Sequence, residues 1–222
     1  MSRVVLKLGG RVAAGGAVQA LGLARAGHEV CVVHGAGPQI SAELRRRGIE
    51  VVFVGGRRVT TEAALAVVRE QLAAVNRELC VAVGPRAAGL MGDEIGLQAA
   101  RVEALGFVGE AIPCRPPAIE HALAEGLIPV VAPLGVGPLN VNADEAAAAL
   151  AVGLEADRLF FVSDVPGVLL AGGVLPTLLA DEADRLLGAG ELEGGIVPKL
   201  RAAVHAARLG VPAQIGQTAV LA

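Results

Sequence analysis

Short apolar runs alternate with amphipathic stretches along this chain. The runs at 4–8, 29–33, 51–54, 128–133 and 159–162 are nearly unbroken, as in strands buried on both faces. Between them, residues 17–26, 38–47, 61–79, 116–125, 145–150, 181–187 and 199–209 read as helices. Thr60 or Thr61 is placed to cap the longest of these, and Pro38 suits a first helical turn. Residues 81–110 read as hairpins over the sheet, and 168–174 as a hairpin with Gly172-Gly173 at its tip. Two short strands, 213–215 and 218–221, close the chain. Strands alternating with helices predict an α/β fold with a mostly parallel sheet flanked by helices.

Composition narrows the class. The chain has 222 residues, 54% of them hydrophobic, enough for a sizeable core. Gly, Pro or charge interrupts every apolar run before membrane-span length, and the start shows no signal-peptide layout. Net charge is −3, and Arg45 to Arg47, the one basic run, reads as the solvated end of a helix. With no Trp or Tyr to stack bases on, nucleic-acid binding is not expected. Cys31, Cys80 and Cys114 are far apart and make no metal spacing, which fits a reducing cytoplasm.

The candidate chemistry gathers at strand ends. Asn140-Val141-Asn142-Ala143-Asp144 lies where a buried strand hands over to a helix, the place where open α/β sheets hold ligands. A helix cap accounts for Asn142 or Asp144 but not for all three polar residues. Lys7-Leu8-Gly9-Gly10 and His34-Gly35-Ala36-Gly37-Pro38 each follow a strand with glycines, an arrangement suited to anions. The dinucleotide fingerprint is not met, because Ile40 stands at its third glycine. His34 reads either as a base or as a loop residue bonding its own turn. Of Arg57 and Arg58, one is a candidate carboxylate clamp, and Arg57 is the one expected to be merely exposed. Asp164, at another strand end, reads equally as a ligand contact or a turn residue. Of 19 basic residues only Lys7 and Lys199 are lysines, and Lys199 falls in a helix's first turn, where the dipole disfavours a cation unless an anion meets it.

Cations and glycine turns without a Walker A sequence, a Ser-His-Asp set or HExxH point to one chemistry, phosphoryl transfer onto a carboxylate. Such a nucleophile is already ionised. The obstacles are its repulsion from the γ-phosphate and the charge spread over the transferring group, and positioned lysines, N–H groups and Mg²⁺ address both.

These stretches, with Leu105-Gly106-Phe107-Val108-Gly109, Ser163-Asp164-Val165-Pro166-Gly167 and Gly195-Ile196-Val197-Pro198-Lys199, resemble the amino acid kinase family, and within it the branch that phosphorylates N-acetylglutamate. The resemblance implies an open three-layer αβα sandwich, with an N-terminal lobe (1–152) for the acyl substrate and a C-terminal lobe (153–222) for ATP. It implies Lys7 and Lys199 as transition-state cations and Asp144 as the carboxylate that holds both. Gly9, Gly10 and Gly35 would offer N–H groups to the phosphoryl oxygens. Arg58 would clamp the substrate carboxylate, with Asn140 assisting and Ala36 and Asn142 beside it. Ser163, Asp164, Val165, Pro166, Gly167, Val168 and Leu169 would lie at the nucleotide. ATP with Mg²⁺ held mainly by its phosphates would be the donor, with no metal site made of protein alone.

Three departures carry expectations of their own. Ala36 replaces a usual glycine, and its methyl is costly if φ is positive. Between Ile215 and Thr218 there is no room for the helix the family usually has there, and Pro198 directly precedes Lys199. Two other readings stay open: a kinase of glutamate or aminoadipate on an acidic carrier protein, which would want Arg45 to Arg47 as a docking surface, and a non-catalytic binding relative. Three residues before the first strand predict no extra N-terminal helix, hence a homodimer, through the 61–79 helix, that arginine does not inhibit by that route.

Overall fold

The computed structural model describes residues 1–9, 13–162, 164–170 and 172–222, with the side chains of 13 and 14 left out. One sheet of eight strands runs through the molecule. In chain order its strands are β1 (Arg3–Leu8), β2 (Glu29–His34), β3 (Ala87–Met91), β4 (Ile128–Ala132), β5 (Arg158–Val162), β6 (Thr177–Leu179), β7 (Ala213–Ile215) and β8 (Thr218–Leu221). Across the sheet they lie in the order β6-β8-β7-β5-β1-β2-β4-β3, and β7 and β8 form its antiparallel pair. Strands of the first 152 residues fill one half and later strands the other, with the seam where β1 pairs in parallel with β5.

Side chains alternate across the central strands and meet helices on both faces. Val4, Leu6 and Leu8 point to one side, against α1 (Ala13–Arg25), α2 (Gly37–Arg46) and α3 (Glu62–Val83). Val5, Cys31 and Val33 point to the other, against α5 (Pro117–Ala124), α6 (Ala143–Gly153) and α8 (Ile196–Arg208), with α4 (Gly92–Ile95) and α7 (Ala180–Ala189) completing the helices. This is the expected three-layer αβα sandwich. α6 is rich in alanine and five of its alanines are buried, so it lies close to the sheet.

Three expectations are corrected. Residues 81–110 do not form hairpins throughout: α3 extends to Val83, and 87–91 is a parallel edge strand pairing with β4. Its sequence, Ala-Ala-Gly-Leu-Met, lacks the β-branched residues that mark strands. Residues 99–101 and 108–111 do pair antiparallel, in a small sheet that also holds the strand Leu139–Val141. The run at 51–54 does not enter the main sheet; only Phe53–Val54 is extended, and it pairs with Arg57–Arg58 across the turn of Gly55 and Gly56. Finally, β6 has no strong apolar run and went unpredicted, yet it forms the edge beside β8.

Candidate active site

Alternation along β1 decides where Lys7 points. Leu6 and Leu8 face α1 to α3, so Lys7 shares the face of Val5 and lies beneath the start of α6. There its ammonium sits 2.7 Å from Asp144 Oδ1, both side chains being 7% exposed. Asp144 is placed by its helix cap: Asn142 Oδ1 accepts from the Asp144 N–H at 2.8 Å and the Glu145 N–H at 3.3 Å. Lys199 comes from the first turn of α8, with Nζ 3.9 Å from Asp144 Oδ2 and 3.3 Å from the Gly195 carbonyl, to which it donates. Burial, and then the charge of Lys7, hold Lys199 below the ordinary lysine value, while Asp144 works in the opposite direction. Pro198 does no harm before it, because N–H groups of a helix's first turn have no intrahelical acceptor.

These three residues sit in a cleft of about 870 Å³, at the upper end of small-molecule sites. At one end is Arg58, 6% exposed, whose Nη2 donates to Ser41 Oγ at 2.8 Å and the Gly37 carbonyl at 3.2 Å. Its guanidinium lies 4.5 Å from the Phe53 ring centre, and its buried Nη1 has no partner among the described residues. Burial, then Arg45, lower its proton affinity. A buried guanidinium with an orphaned nitrogen and no carboxylate beside it has the chemistry to take up a carboxylate. Asn140 Nδ2 donates to Thr60 Oγ1 at 2.9 Å, and Thr60 in turn donates to the Arg58 carbonyl at 2.8 Å, so Asn140 braces the Arg58 strand.

At the opposite end Asp164, Val165, Pro166, Gly167 and Leu169 line the cleft, joined by Glu191, Leu192 and Glu193 from the α7–α8 loop. Val168 is the exception among the residues expected there: it is fully buried in the core, its N–H on Thr218 Oγ1 at 2.8 Å. The family helix expected to be missing after β7 is replaced by a turn of Gly216 and Gln217, whose Gln217 N–H bonds the Pro166 carbonyl at 2.8 Å. Gly216 has φ +55° and no side chain to collide with that carbonyl, so the turn backs the 164–167 loop directly.

Several sequence expectations change in detail. The N–H groups of Gly9 and Gly35 are engaged by Val162 and Leu8 carbonyls at 3.2 and 3.1 Å, so they are not free for phosphoryl oxygens in this conformation. Gly10 and Ser163 lie outside the described residues. Ala36 carries no strain: φ is −137° and the methyl is buried among core residues. Asn142 does not reach into the cleft as a free amide, since its oxygen caps α6 and its Nδ2 donates to the Gly56 carbonyl at 3.2 Å. His34 is no base here: it is 1% exposed, its Nε2 pairs with Asn76 Nδ2 at 3.1 Å, and burial pulls its pKa down to about 4. Arg57 is not merely exposed, for it grips both oxygens of Glu145, at 2.9 and 3.1 Å.

The sequence profile of the amino acid kinase family matches residues 2–217. The chain belongs to the amino acid kinase family. The acetylglutamate kinase of Rubrobacter xylanophilus is 44% identical over 97% of this chain and 88% of that protein. The acetylglutamate kinase of Koribacter versatilis is 43% identical over 85% of this chain and 77% of its own length. Among solved structures, smu.665 from Streptococcus mutans UA159 superposes with a TM-score of 0.86 at 27% identity, covering 99% of this chain and 98% of that one. Carbamate kinase from Giardia lamblia bound to AMP-PNP shares the fold, with a TM-score of 0.75 at 15% identity over 99% and 98% of the two chains.

Sequence reasoning missed a residue that lines this amino acid kinase's cleft and two that hold its arginines. Phe53 was legible in principle: a Gly-Gly turn between two short runs sets a hairpin register in which Phe53 faces Arg58. Ser41, four residues into the helix after Gly37, had no distinguishing signal. Nor did Glu145 as the partner of Arg57, since 88 residues separate them.

Proposed function

We propose that this amino acid kinase transfers the γ-phosphoryl group of ATP to the side-chain carboxylate of N-acetyl-L-glutamate, giving the acyl phosphate and ADP, a step of arginine biosynthesis. The observation that carries the reaction class is the Lys7–Asp144–Lys199 chain, two ammonium groups brought to one carboxylate midway along the cleft. The relatives named above carry the choice of acyl substrate.

In this reading the substrate's α-carboxylate meets the orphaned Nη1 of Arg58, and its side-chain carboxylate extends toward Lys7. The nucleotide lies along Asp164 to Gly167 and Leu169 with its γ-phosphate toward Lys199. The attacking carboxylate needs no base. Lys7 and Lys199 meet the charge spread over the transferring group, and Asp144 holds them apart from each other and in place. With Gly9 and Gly35 engaged elsewhere, the N–H groups at the start of α2, Ala36 and Gly37, are the better-placed donors in the cleft. Asn140 and Asn142 are positioning residues. Among the described residues no three His, Cys, Asp or Glu side chains cluster to hold a metal; this reading keeps Mg²⁺ mainly on the phosphates of the nucleotide.

The carrier-protein reading weakens because Arg46 and Arg47 are already paired with Glu43 and Glu70. No helix among the described residues is long and apolar enough to cross a membrane. The reading takes the enzyme as cytoplasmic, where three scattered thiols stay reduced. It also takes the enzyme as a homodimer, which mass measurement in solution decides. The decisive assay is ATP-dependent hydroxamate formation with acetylglutamate, glutamate, aspartate and aminoadipate in turn. Acetylglutamate should give the highest kcat/KM; a stronger signal from unacetylated glutamate or aminoadipate would overturn the substrate assignment.

A further inference from the structure

The two arginines of the Phe53 hairpin diverge. Adjacent residues on a strand point to opposite faces, so Arg58 turns toward Ser41 and Gly37 while Arg57, which also lines the cleft, turns toward the start of α6. There Arg57 Nε and Nη2 take the two oxygens of Glu145, at 2.9 and 3.1 Å, and Glu110 Oε1 stands 3.3 Å from Nη2. The pair is partly shielded, with side chains 22% and 24% exposed. Glu145 directly follows Asp144 in the first turn of α6. The hairpin touches the same junction twice more. Asn142, the cap of α6, donates to the Gly56 carbonyl at 3.2 Å, and Gly56 lies near Pro198, the residue before Lys199, so that a methyl added there would meet it in ordinary contact.

Consider what these contacts span. Arg58 sits at the acyl end of the cleft, and Asp144 organises the two lysines at the reacting end. The two-stranded hairpin, Phe53–Val54 with Arg57–Arg58, is too small a ribbon to hold its place alone, so beside the Arg58 and Thr60 contacts its position rests on these links to the start of α6. Phosphoryl transfer to a fixed carboxylate depends on the distance between those ends, and a shift of about 1 Å is enough to cost 10²-fold.

We propose that the Arg57–Glu145 pair is a positioning device that sets the distance between the substrate clamp on the hairpin and the Lys7–Asp144–Lys199 chain. The proposal rests on the kinase reading above. Arg57 and Glu145 touch no reacting atom. They act through the neighbours that do, Arg58 on one strand and Asp144 on one helix turn. Lysine cannot replace Arg57, because a point charge does not grip two oxygens at once. The separation of 88 residues also means that the pair closes a long-range link that no local turn provides.

The test uses the full chain and three variants: Arg57→Lys, Glu145→Gln, and both together. Steady-state rates are measured with ATP and acetylglutamate, and hydrogen exchange is followed at residues 53–58 and in β1. The expected result is a fall in kcat of about tenfold in each single variant, with KM for both substrates within about twofold. The double variant should fall no further than either single one, since the pair acts as a unit. Exchange at 53–58 should quicken in all three while β1 stays protected. The swap of Arg57→Glu with Glu145→Arg should recover part of the lost turnover. Wild-type kcat in the single variants, additive losses, or unchanged exchange at 53–58 would each overturn the proposal. If the wild-type chain itself makes no acyl phosphate, the kinase reading fails, and the exchange data still decide whether the pair tethers the hairpin.

Discussion

Two lysines reach Asp144 by different routes. Lys7 rides on β1, in register between Phe161 of β5 and Val33 of β2, so its backbone is held on both sides. It closes on Asp144 at 2.7 Å and is almost wholly buried. Lys199 stands in the first turn of α8, next to glycines, with its side chain 15% exposed and 3.9 Å from the same carboxylate. The strand fixes one cation as part of the core. The helix start presents the other against its own dipole and leaves it short of full contact. In the proposed mechanism one charge is therefore both structural and chemical, and the other chemical with a looser hold on the carboxylate.

The largest expected effect separates these roles. Lys7→Ala leaves the buried Asp144 carboxylate with its nearest cation gone and should cost about 3 kcal/mol of stability. Lys199→Ala removes a looser, desolvated cation and should cost about 1 kcal/mol or less. Urea unfolding of the two variants measures the difference, and equal losses would dissolve the distinction. The burial of the Lys7–Asp144 pair is what makes the loss at Lys7 the larger.

Arg58 extends the comparison to a third cation, one that is buried with neutral partners and no carboxylate. Arg58→Lys loses the fork and should raise KM for acetylglutamate by roughly thirtyfold, about 2 kcal/mol. A KM near the wild-type value would move the carboxylate site elsewhere.

The smallest effect is in pH. Lys199 is held below its ordinary value of 10.5, chiefly by burial. Its folded-state proton affinity is thus weaker than in the unfolded chain. The cost of burying its charge is present at neutral pH and is relieved as pH rises through the lowered value toward 10.5. Activity moves the other way, because the neutral amine cannot meet a phosphoryl group. kcat/KM should decline on the alkaline side with a midpoint below 10.5, and Lys199→Arg should remove that limb. An alkaline limb unchanged in Lys199→Arg would assign it to another group.

How much of this was legible in the sequence depends on range. The central strands were readable because burial on both faces leaves runs of Val, Leu and Ile, and Lys7 was visible as one of only two lysines, beside glycines that follow a strand. The Asn140 to Asp144 stretch stood out because three polar residues sit where a buried strand hands over to a helix. β3 and β6 were missed because edge strands of small or mixed residues carry no such pattern. Glycines after strands signalled a turn near an anion but not which N–H groups stay free, since the acceptors on Val162 and Leu8 belong to the fold as a whole. Arg57 was misread for a like reason: its role is set by Glu145, a partner that no local spacing reveals.

The central claim is that Lys7 and Lys199 act on one transferring group. Single-turnover formation of the acyl phosphate, with enzyme in excess and both substrates saturating, isolates that step from binding and release. The account predicts that Lys7→Ala and Lys199→Ala each slow it by about 10² to 10³-fold among the folded molecules. A wild-type single-turnover rate in either variant would contradict it.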